Sequence, residues 1–285
     1  MKSGLEILQD ELAHYKLEML DYTEYRNAWR YNAAPHEEQK LEEKEWKKLL
    51  KQGGLFVRNT YNFDQKQESN FWYVIKDSFG GMEDQSQNER KKLRHAFRNF
   101  DFRLINYDLL AEKGFPIVNA TFKDYRVTDR PMNEKVFNDY LNHCKRNNYD
   151  YWGMFEKTED KFVGFCAVHA WKDSCEYGVI GVLPEYKHNA TYPYYGFFYK
   201  MNEYYLGKKG FKYVSDGSRS ITEHSEIQDF LIHNFKFRKA YCQLEIHYKW
   251  WVKIVVNILY PFRKIIFLPR IKAVLNMESM RRGEK

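Results

Sequence analysis

The most constraining feature of the sequence is the order of its apolar segments between residues 133 and 248. Three short stretches rich in β-branched and aromatic residues follow one another closely, at 151–156, 161–171 and 175–183. Because each is short and is bounded by turn-forming residues, we expect three meandering strands. Segments with helical periodicity precede and follow them. The pattern therefore predicts a mixed, twisted α/β sheet that is flanked by helices.

The whole chain divides into three regions by pattern and charge. The three strands, with helices at 133–147, 194–207 and 223–235 and strands at 212–216 and 238–248, form the predicted domain 131–248. The preceding region, 1–130, is predicted as additional α/β structure, with two helices over 5–50, a strand hairpin at 55–77, a helix at 86–100 and strands at 102–106 and 117–122. The remaining residues, 249–285, are predicted to form a basic amphipathic helical tail.

Composition excludes several classes of protein. With 44% hydrophobic and 30% charged residues, the chain has enough apolar material for a core and is unlike a disordered chain. The four cysteines form no Cys-x-x-Cys pair, so we expect neither a disulfide-stapled module nor a zinc ribbon, and no metal site. The first residues form an amphipathic, partly acidic segment rather than a secretory signal. We therefore expect a cytoplasmic protein.

Positive charge is concentrated toward the C-terminal end. Residues 236–285 contain twelve Lys and Arg against three Glu, a net charge of +9, whereas the whole chain carries +7. This asymmetry indicates an anionic partner near the C-terminal end, either a phospholipid surface or a nucleic acid. The alternative is a basic surface that is simply solvated.

The apolar run at 250–268 is not expected to cross a membrane, because Lys253, Arg263 and Lys264 interrupt its 19 residues. As a helix, the run would place Lys249 and Lys253 on one stripe beside an apolar, tryptophan-bearing surface. This pattern is typical of a helix at a membrane interface and predicts peripheral contact with the inner face of the membrane. The alternative is a helix packed on the core with its lysines in water.

Two motifs carry a resemblance to a known family. The third meandering strand ends in the sequence Val182-Leu183-Pro184-Glu185-Tyr186-Lys187. A second spaced signature falls on the helix and strand further along the chain, at Ser225, Gln228, Ile232, Lys236 and Phe237. Together with the element order, these residues resemble the GNAT N-acetyltransferase superfamily. The resemblance implies that a turn at 187–193 and the helix after it hold the pyrophosphate of acetyl-CoA or another acyl-CoA.

The residues that the resemblance assigns to the donor lie at the strand end, in the turn and on the later helix: Val182, Leu183, Lys187, His188, Asn189, Ala190, Thr191 and Ser225. Two features depart from the family. The turn has no glycine, and Ile232 stands where a tyrosine often serves as general acid. With the extra N-terminal half, these departures are similar to the FemAB-like branch. That branch joins two GNAT-like units and takes acyl groups from aminoacyl-tRNA.

Two residues are candidates for the base that an acyl transfer to an amine requires. Glu176 begins the third strand, where the family often places its base, and a carboxylate whose pKa is raised by burial can accept the proton. His169 on the second strand is a candidate base or relay, because the ordinary pKa of histidine lies near physiological pH. The alternatives are an exposed strand-edge acid for Glu176 and a structural histidine for His169.

The most polar sequence at a predicted strand end is 216–225. Ligands of open α/β sheets gather at the carboxyl ends of strands, so Asp216, Arg219 and His224 are candidate substrate-binding residues. Arg219 is the candidate anion contact. The alternative is a solvated turn.

The resemblance implies an acyltransferase that moves an acyl group from an acyl-CoA, or from an aminoacyl-tRNA, to an amine. An amino sugar of a cell-envelope glycan is the expected acceptor. The alternative is a non-catalytic GNAT-like binding module or adaptor at an anionic membrane surface. Separation near Val182 of the two predicted strands that end at Leu183 and Asp216 would favour the enzyme. Strands that stay together, with the side chains of His188 and Tyr192 filling the groove, would favour the adaptor.

Overall fold

The computed structural model describes residues 18–19, 22–25, 27–124, 133–187, 190–221 and 226–284. The chain divides into two compact units that interleave along the sequence. The first unit comprises Met1–Val74, Ser218–Ile227 and Lys239–Lys285. The second comprises Ile75–Gly217 and Gln228–Arg238. These units differ from the three consecutive regions expected from the sequence, because later segments return to join earlier ones in each unit.

The described residues form eleven strands and nine α-helices. The strands are β1 Glu18–Met19, β2 Tyr22–Tyr25, β3 Ala28–Tyr31, β4 Phe56–Tyr61, β5 Phe71–Lys76, β6 Phe100–Ile105, β7 Tyr149–Glu156, β8 Lys161–Ala170, β9 Ser174–Val182, β10 Tyr213–Ser218 and β11 Arg238–Tyr248. The α-helices are α1 Glu43–Gln52, α2 Gln87–Asn99, α3 Tyr107–Asp124, α4 Glu134–Arg146, α5 Pro184–Lys187, α6 Pro193–Asn202, α7 Glu226–Phe235, α8 Trp250–Leu259 and α9 Pro269–Arg282.

The second unit is built on five strands in the order β10-β9-β8-β7-β6. The pairs from β6 to β9 are antiparallel, as expected for a meander, whereas β9 and β10 are parallel. Helix α3 packs on β8 and β9, and α2 packs on α6. Local signals fix the helix starts: the Ser86 hydroxyl accepts a hydrogen bond from the Glu89 backbone N–H, and the Asn133 side chain accepts one from that of Val136. The α/β fold expected for this part of the chain is confirmed.

Aromatic and branched side chains fill the core of the second unit. Phe137 of α4 packs against Phe165 of β8, and both are fully buried. Gly181 of β9 lets α3 approach closely, because a Cβ at this position would lie 3.4 Å from the side chains of both Ile117 and Thr121. The lack of a side chain at Gly181 therefore lets a helix pack closely against the strand.

The first unit contains β1 to β4, β11 and most of β5, in the order β1-β2-β3-β4-β11-β5. Strand β11 lies antiparallel to β4 and separates it from β5, so the hairpin expected at 55–77 is wrong. The connecting loop passes over β11 instead. Its Ser69 hydroxyl donates a hydrogen bond to the carbonyl of Cys242, 2.7 Å away, and the backbone N–H of Gln65 donates one to that of Tyr241.

Two other segments differ from expectation. Part of the region predicted as two helices over 5–50 forms β2 and β3, which turn at Asn27 with a positive φ of 63°. The first predicted helix otherwise lies outside the described residues. The strand expected at 117–122 belongs to α3, whose buried residues recur with helical spacing at Leu110, Ile117 and Thr121. Local β-branched residues favoured a strand there, but packing on β8 and β9 favours a helix.

Helix α8 is fixed to the first unit by one stripe of side chains. Val252, Val256 and Tyr260 are buried and pack with Leu275 of α9. Arg263 is also held, because its guanidinium lies 2.9 Å from the carboxylate of Glu284. No helix among the described residues is long and apolar enough to cross a membrane. The helical tail expected after residue 249 is thus confirmed as helix, but part of it packs within a compact unit.

Candidate active site

A strand fork lies in the second unit, where β9 and β10 stop pairing. The parallel pairing extends from Tyr213 opposite Ser174 to Ser215 opposite Glu176. Both strands then continue, β9 to Val182 and β10 to Ser218. Beyond this point the two strands no longer pair with each other. We define the strand fork as residues 176–182 of β9 and 215–217 of β10.

Strand β9 bulges inside the fork. Cys166 of β8 faces Ile180, whereas Val168, two residues later, faces Tyr177, so β9 carries one additional residue at this point. A bulge of this kind changes the direction of the strand and re-aims its side chains. Gly178 occupies the bulge, and a Cβ there would lie only 2.9 Å from the backbone oxygen of Ala167. A glycine at position 178 therefore meets a steric requirement of the bulge, which leaves no room for a side chain there.

Two acidic residues, Glu176 of β9 and Asp216 of β10, lie at the vertex of the fork. Glu176 and Asp216 are both half-buried, and burial, followed by the charge of Glu176, raises the pKa of Asp216 well above its ordinary value. The backbone of Gly217 approaches the same glutamate, since a Cβ on it would lie 3.5 Å from the carboxyl carbon of Glu176. Burial, together with this neighbouring charge, therefore favours the protonated form of Asp216.

His169 lies directly opposite Glu176 on the neighbouring strand. Its imidazole stacks on Tyr149, with ring centroids 4.5 Å apart, and contacts Trp171 at 4.4 Å. Burial, followed by the charge of His143, lowers the pKa of His169 to about 4. A histidine with this pKa is neutral at pH 7 and is a weak base. The geometry therefore favours a packing role for His169 and leaves Glu176 as the stronger candidate base.

The end of β9 is held by a contact that the sequence analysis missed. The backbone N–H of Val182 donates a hydrogen bond to the hydroxyl of Thr121 in α3, at 3.0 Å. The N–H of the next residue, Leu183, donates to the carbonyl of Val163. The backbone N–H groups of these two candidate donor-binding residues are therefore already bonded. Nothing local in the sequence marks Thr121, because its partner is 61 residues away.

A second missed contact anchors α6 to β9. The hydroxyl of Tyr177 donates to the side-chain oxygen of Asn202 at 2.7 Å, and both residues are buried. Nearby, the hydroxyl of Tyr205 donates to the carboxylate of Asp150 at 2.8 Å and accepts from the indole N–H of Trp152 at 3.1 Å. These bonds hold one side of the fork rigid, which a preorganised site requires.

The turn after β9 is partly described. Lys187 forms an ion pair with Asp124 at 3.0 Å, and the hydroxyl of Thr191 donates to the carbonyl of Tyr186 at 2.8 Å. Ala190 is exposed. The candidate donor residues His188 and Asn189 lie outside the described residues. A phosphate at this turn would therefore compete with Asp124 for the charge of Lys187.

The polar stretch after β10 does not act as one group. Arg219 donates to the backbone oxygen of Asn70 at 2.6 Å and lies over the ring of Trp72 at 4.3 Å, within the first unit. Asp216 instead belongs to the fork of the second unit. His224 and Ser225 lie outside the described residues. Among the described residues, no group of three or more His, Cys, Asp or Glu side chains is placed to hold a metal ion.

The fold is GNAT-like: a mixed α/β sheet flanked by helices, whose parallel pair β9 and β10 forks beside a helix. Solved structures with a similar fold include FemX, at 10% identity and a TM-score of 0.47 over 69% of this chain and 65% of that chain. The L-PGS structure from Bacillus licheniformis gives 9% identity and a TM-score of 0.49 over 84% of this chain and 83% of that one. A GCN5-related N-acetyltransferase from Brucella melitensis gives 13% identity and a TM-score of 0.35 over 48% of this chain and 63% of that chain.

No family model matches the sequence, and no curated protein matches it significantly. The chain spans about two thirds of the length of FemX.

Proposed function

We propose that this chain is a GNAT-like acyltransferase that moves an acyl group to an amine. The observation that carries the proposal is the strand fork with two carboxyl groups, Glu176 and Asp216, at its vertex. The separated strand edges at 177–181 offer backbone groups to an amide-containing acyl donor. An acyl-CoA has such an arm, and an aminoacyl-tRNA is the other donor under consideration.

Glu176 takes the proton that an ammonium acceptor must lose before attack. The free amine then attacks the acyl carbon, so that a C–N bond forms and the bond to the donor sulfur or oxygen breaks. The proton that the attacking nitrogen loses goes to the leaving thiolate or alkoxide. We assign the role of base to Glu176 rather than to Asp216, because burial favours the protonated form of Asp216. The acceptor we propose is an amino sugar of a cell-envelope glycan.

A binding module without catalysis is the second candidate. The specific observation in its favour is that the N–H groups of Val182 and Leu183 are already bonded. The ion pair of Lys187 with Asp124 points in the same direction, because it occupies a charge that a donor phosphate would use. In this alternative the strand fork binds no acyl donor.

Thermal melting with acetyl-CoA separates the two candidates. The enzyme should be stabilised at millimolar acetyl-CoA and should release free thiol when glucosamine is added as the acceptor. A shift with aminoacyl-tRNA but none with acetyl-CoA would assign the donor to the FemAB-like type. The absence of any shift with either donor, and of any acyl transfer, would leave the binding module.

A further inference from the structure

An exposed apolar face runs along α8 and the segment that follows it, in the first unit. It consists of large apolar side chains that are all exposed: Trp251, Ile254, Val255, Ile258, Phe262, Ile265, Phe267 and Leu268. Phe267, for example, is 88% exposed. Single exposed apolar residues are ordinary, but a run of this size is typical of an interaction surface.

This face is not the side of α8 that packs in the protein. Val252, Val256 and Tyr260 make that contact, each less than 7% exposed. Because α8 is already anchored by one stripe, the exposed apolar face can meet a partner without the helix moving. The sequence also allowed a helix packed on the core. That alternative therefore applies only to the stripe of Val252, Val256 and Tyr260.

A pocket of about 660 Å³ lies beside the start of α8, also within the first unit. Its walls are aromatic: Trp46 stacks on His247 with ring centroids 4.9 Å apart, and Tyr248 and Trp250 also line it. A volume of this size lies within the range of roughly 300–1,000 Å³ that is usual for small-molecule sites. The pocket can thus hold a phosphate ester with part of its organic group.

The pocket is positively charged. Lys51, Lys249 and Lys253 line it, and none of them forms an ion pair with a residue that the structure describes. The acid among its lining residues, Glu278, is buried and is compensated by Arg281 at 2.6 Å and Arg282 at 2.8 Å. The three ammonium groups are therefore available to an anion, and Glu278 does not oppose it.

We propose that this pocket binds the phosphate headgroup of an anionic phospholipid, whose acyl chains lie along the exposed apolar face of α8. The site would dock the protein on an anionic bilayer. Indole rings and lysines beside an apolar helix face are the combination that such an interface favours. A second copy of the chain fits less well, because the +9 charge of residues 236–285 would meet the same charge.

Vesicle cosedimentation tests the proposal. The full chain should bind vesicles of equal parts phosphatidylcholine and phosphatidylglycerol, and should bind pure phosphatidylcholine much less. The double variant Lys249→Gln/Lys253→Gln should lose roughly 25-fold in partitioning, since each lysine near such a surface contributes about fivefold. Binding should also weaken between 0.1 and 1 M salt, as the screening length falls from about 10 to about 3 Å.

A matched variant controls for total charge. Lys40→Gln/Lys66→Gln removes two exposed lysines of the first unit that do not line the pocket. It should change partitioning by less than about threefold, because only lysines beside the bilayer contribute fully. If both double variants lose binding equally, the pocket has no special role and the proposal is wrong.

A soluble lipid distinguishes the pocket from a merely basic surface. Short-chain phosphatidylglycerol, below its micelle concentration, should bind with saturation and shift the tryptophan emission of wild-type protein to shorter wavelength. Lys249→Gln/Lys253→Gln should abolish this shift, and inorganic phosphate should compete only weakly. Unsaturable binding, or full displacement by inorganic phosphate, would overturn the assignment to a lipid.

Two further results would contradict the proposal. Equal, salt-independent binding to neutral and anionic vesicles would exclude headgroup recognition. A stable dimer by sedimentation equilibrium that Trp251→Ser/Ile254→Ser dissociates would assign the face to a contact between copies. Because Glu176→Gln leaves the pocket intact, vesicle binding and acyl transfer can fail independently.

Discussion

In the second unit, the strand fork keeps Glu176, Asp216 and His169 half-buried between strands. In the first unit, α8 holds large apolar side chains in solvent, while Lys253 and the preceding Lys249 line a pocket. Each region departs from the usual pattern of burial, but in opposite directions. Burying ionisable groups and exposing apolar ones both cost stability, so such departures are expected where a surface binds or reacts.

The comparison also shows how each region is supported. The fork depends on buried hydrogen bonds, such as that of Tyr177 with Asn202, which fix its geometry. The face of α8 depends instead on Val252 and Val256, which anchor the helix from behind. A reaction requires precise positions, whereas a fluid lipid surface requires only area and charge. Four predictions test this contrast.

The largest effect is expected at the fork. Glu176→Gln removes the proposed base and should lower the rate of acyl transfer by about 10²- to 10⁴-fold, with donor binding retained. Steady-state rates and donor-dependent melting of the same preparation measure the two properties. Glu159→Gln, an exposed acid of the same unit, is the matched control and should be fully active. Full activity of Glu176→Gln would exclude Glu176 as the base.

The anchor of α8 should matter more to stability than its outer face. Val256→Ala leaves a cavity among Val252, Tyr260 and Leu275 and should lower the free energy of unfolding by about 2 kcal/mol. Urea denaturation followed by circular dichroism measures the loss. A negligible change would mean that α8 is not packed on α9 as described.

The carboxyl pair should give a pH dependence of stability. Because the pKa of Asp216 is raised above its ordinary 3.8, the folded chain holds a proton that the unfolded chain releases. The stability contributed by this group is complete below pH 3.8 and is lost as the pH rises through the raised pKa. Asp216→Asn should therefore flatten the decline in stability that begins as the pH rises above 3.8. An unchanged slope would show that Asp216 does not hold the proton.

The smallest effect on stability is expected for the outer face of α8. Ile254→Ser should change the free energy of unfolding by less than about 0.5 kcal/mol, because this side chain is already 50% exposed. The measurement is the same urea denaturation used for Val256→Ala. A loss as large as that of Val256→Ala would mean that the face is buried in solution.

Much of the fold follows from local signals in the sequence. The strands β7, β8 and β9 and the helices on either side of them were predicted within a few residues, because apolar periodicity and turn residues mark them directly. The charge of the tail was also evident from the residues alone, whereas Glu176 became a candidate base through the resemblance to a known family.

Tertiary structure decided what depends on distant partners. Only the fold shows that β11 inserts between β4 and β5, that Thr121 holds the N–H of Val182, and that Arg219 binds the backbone of Asn70. It also places His169 opposite Glu176 but lowers its pKa to about 4 by burial. Periodicity indicates which side chains prefer to be buried. It does not indicate which strand or helix covers them or which charge pairs with them, because those partners are set by packing between residues that are distant in the sequence.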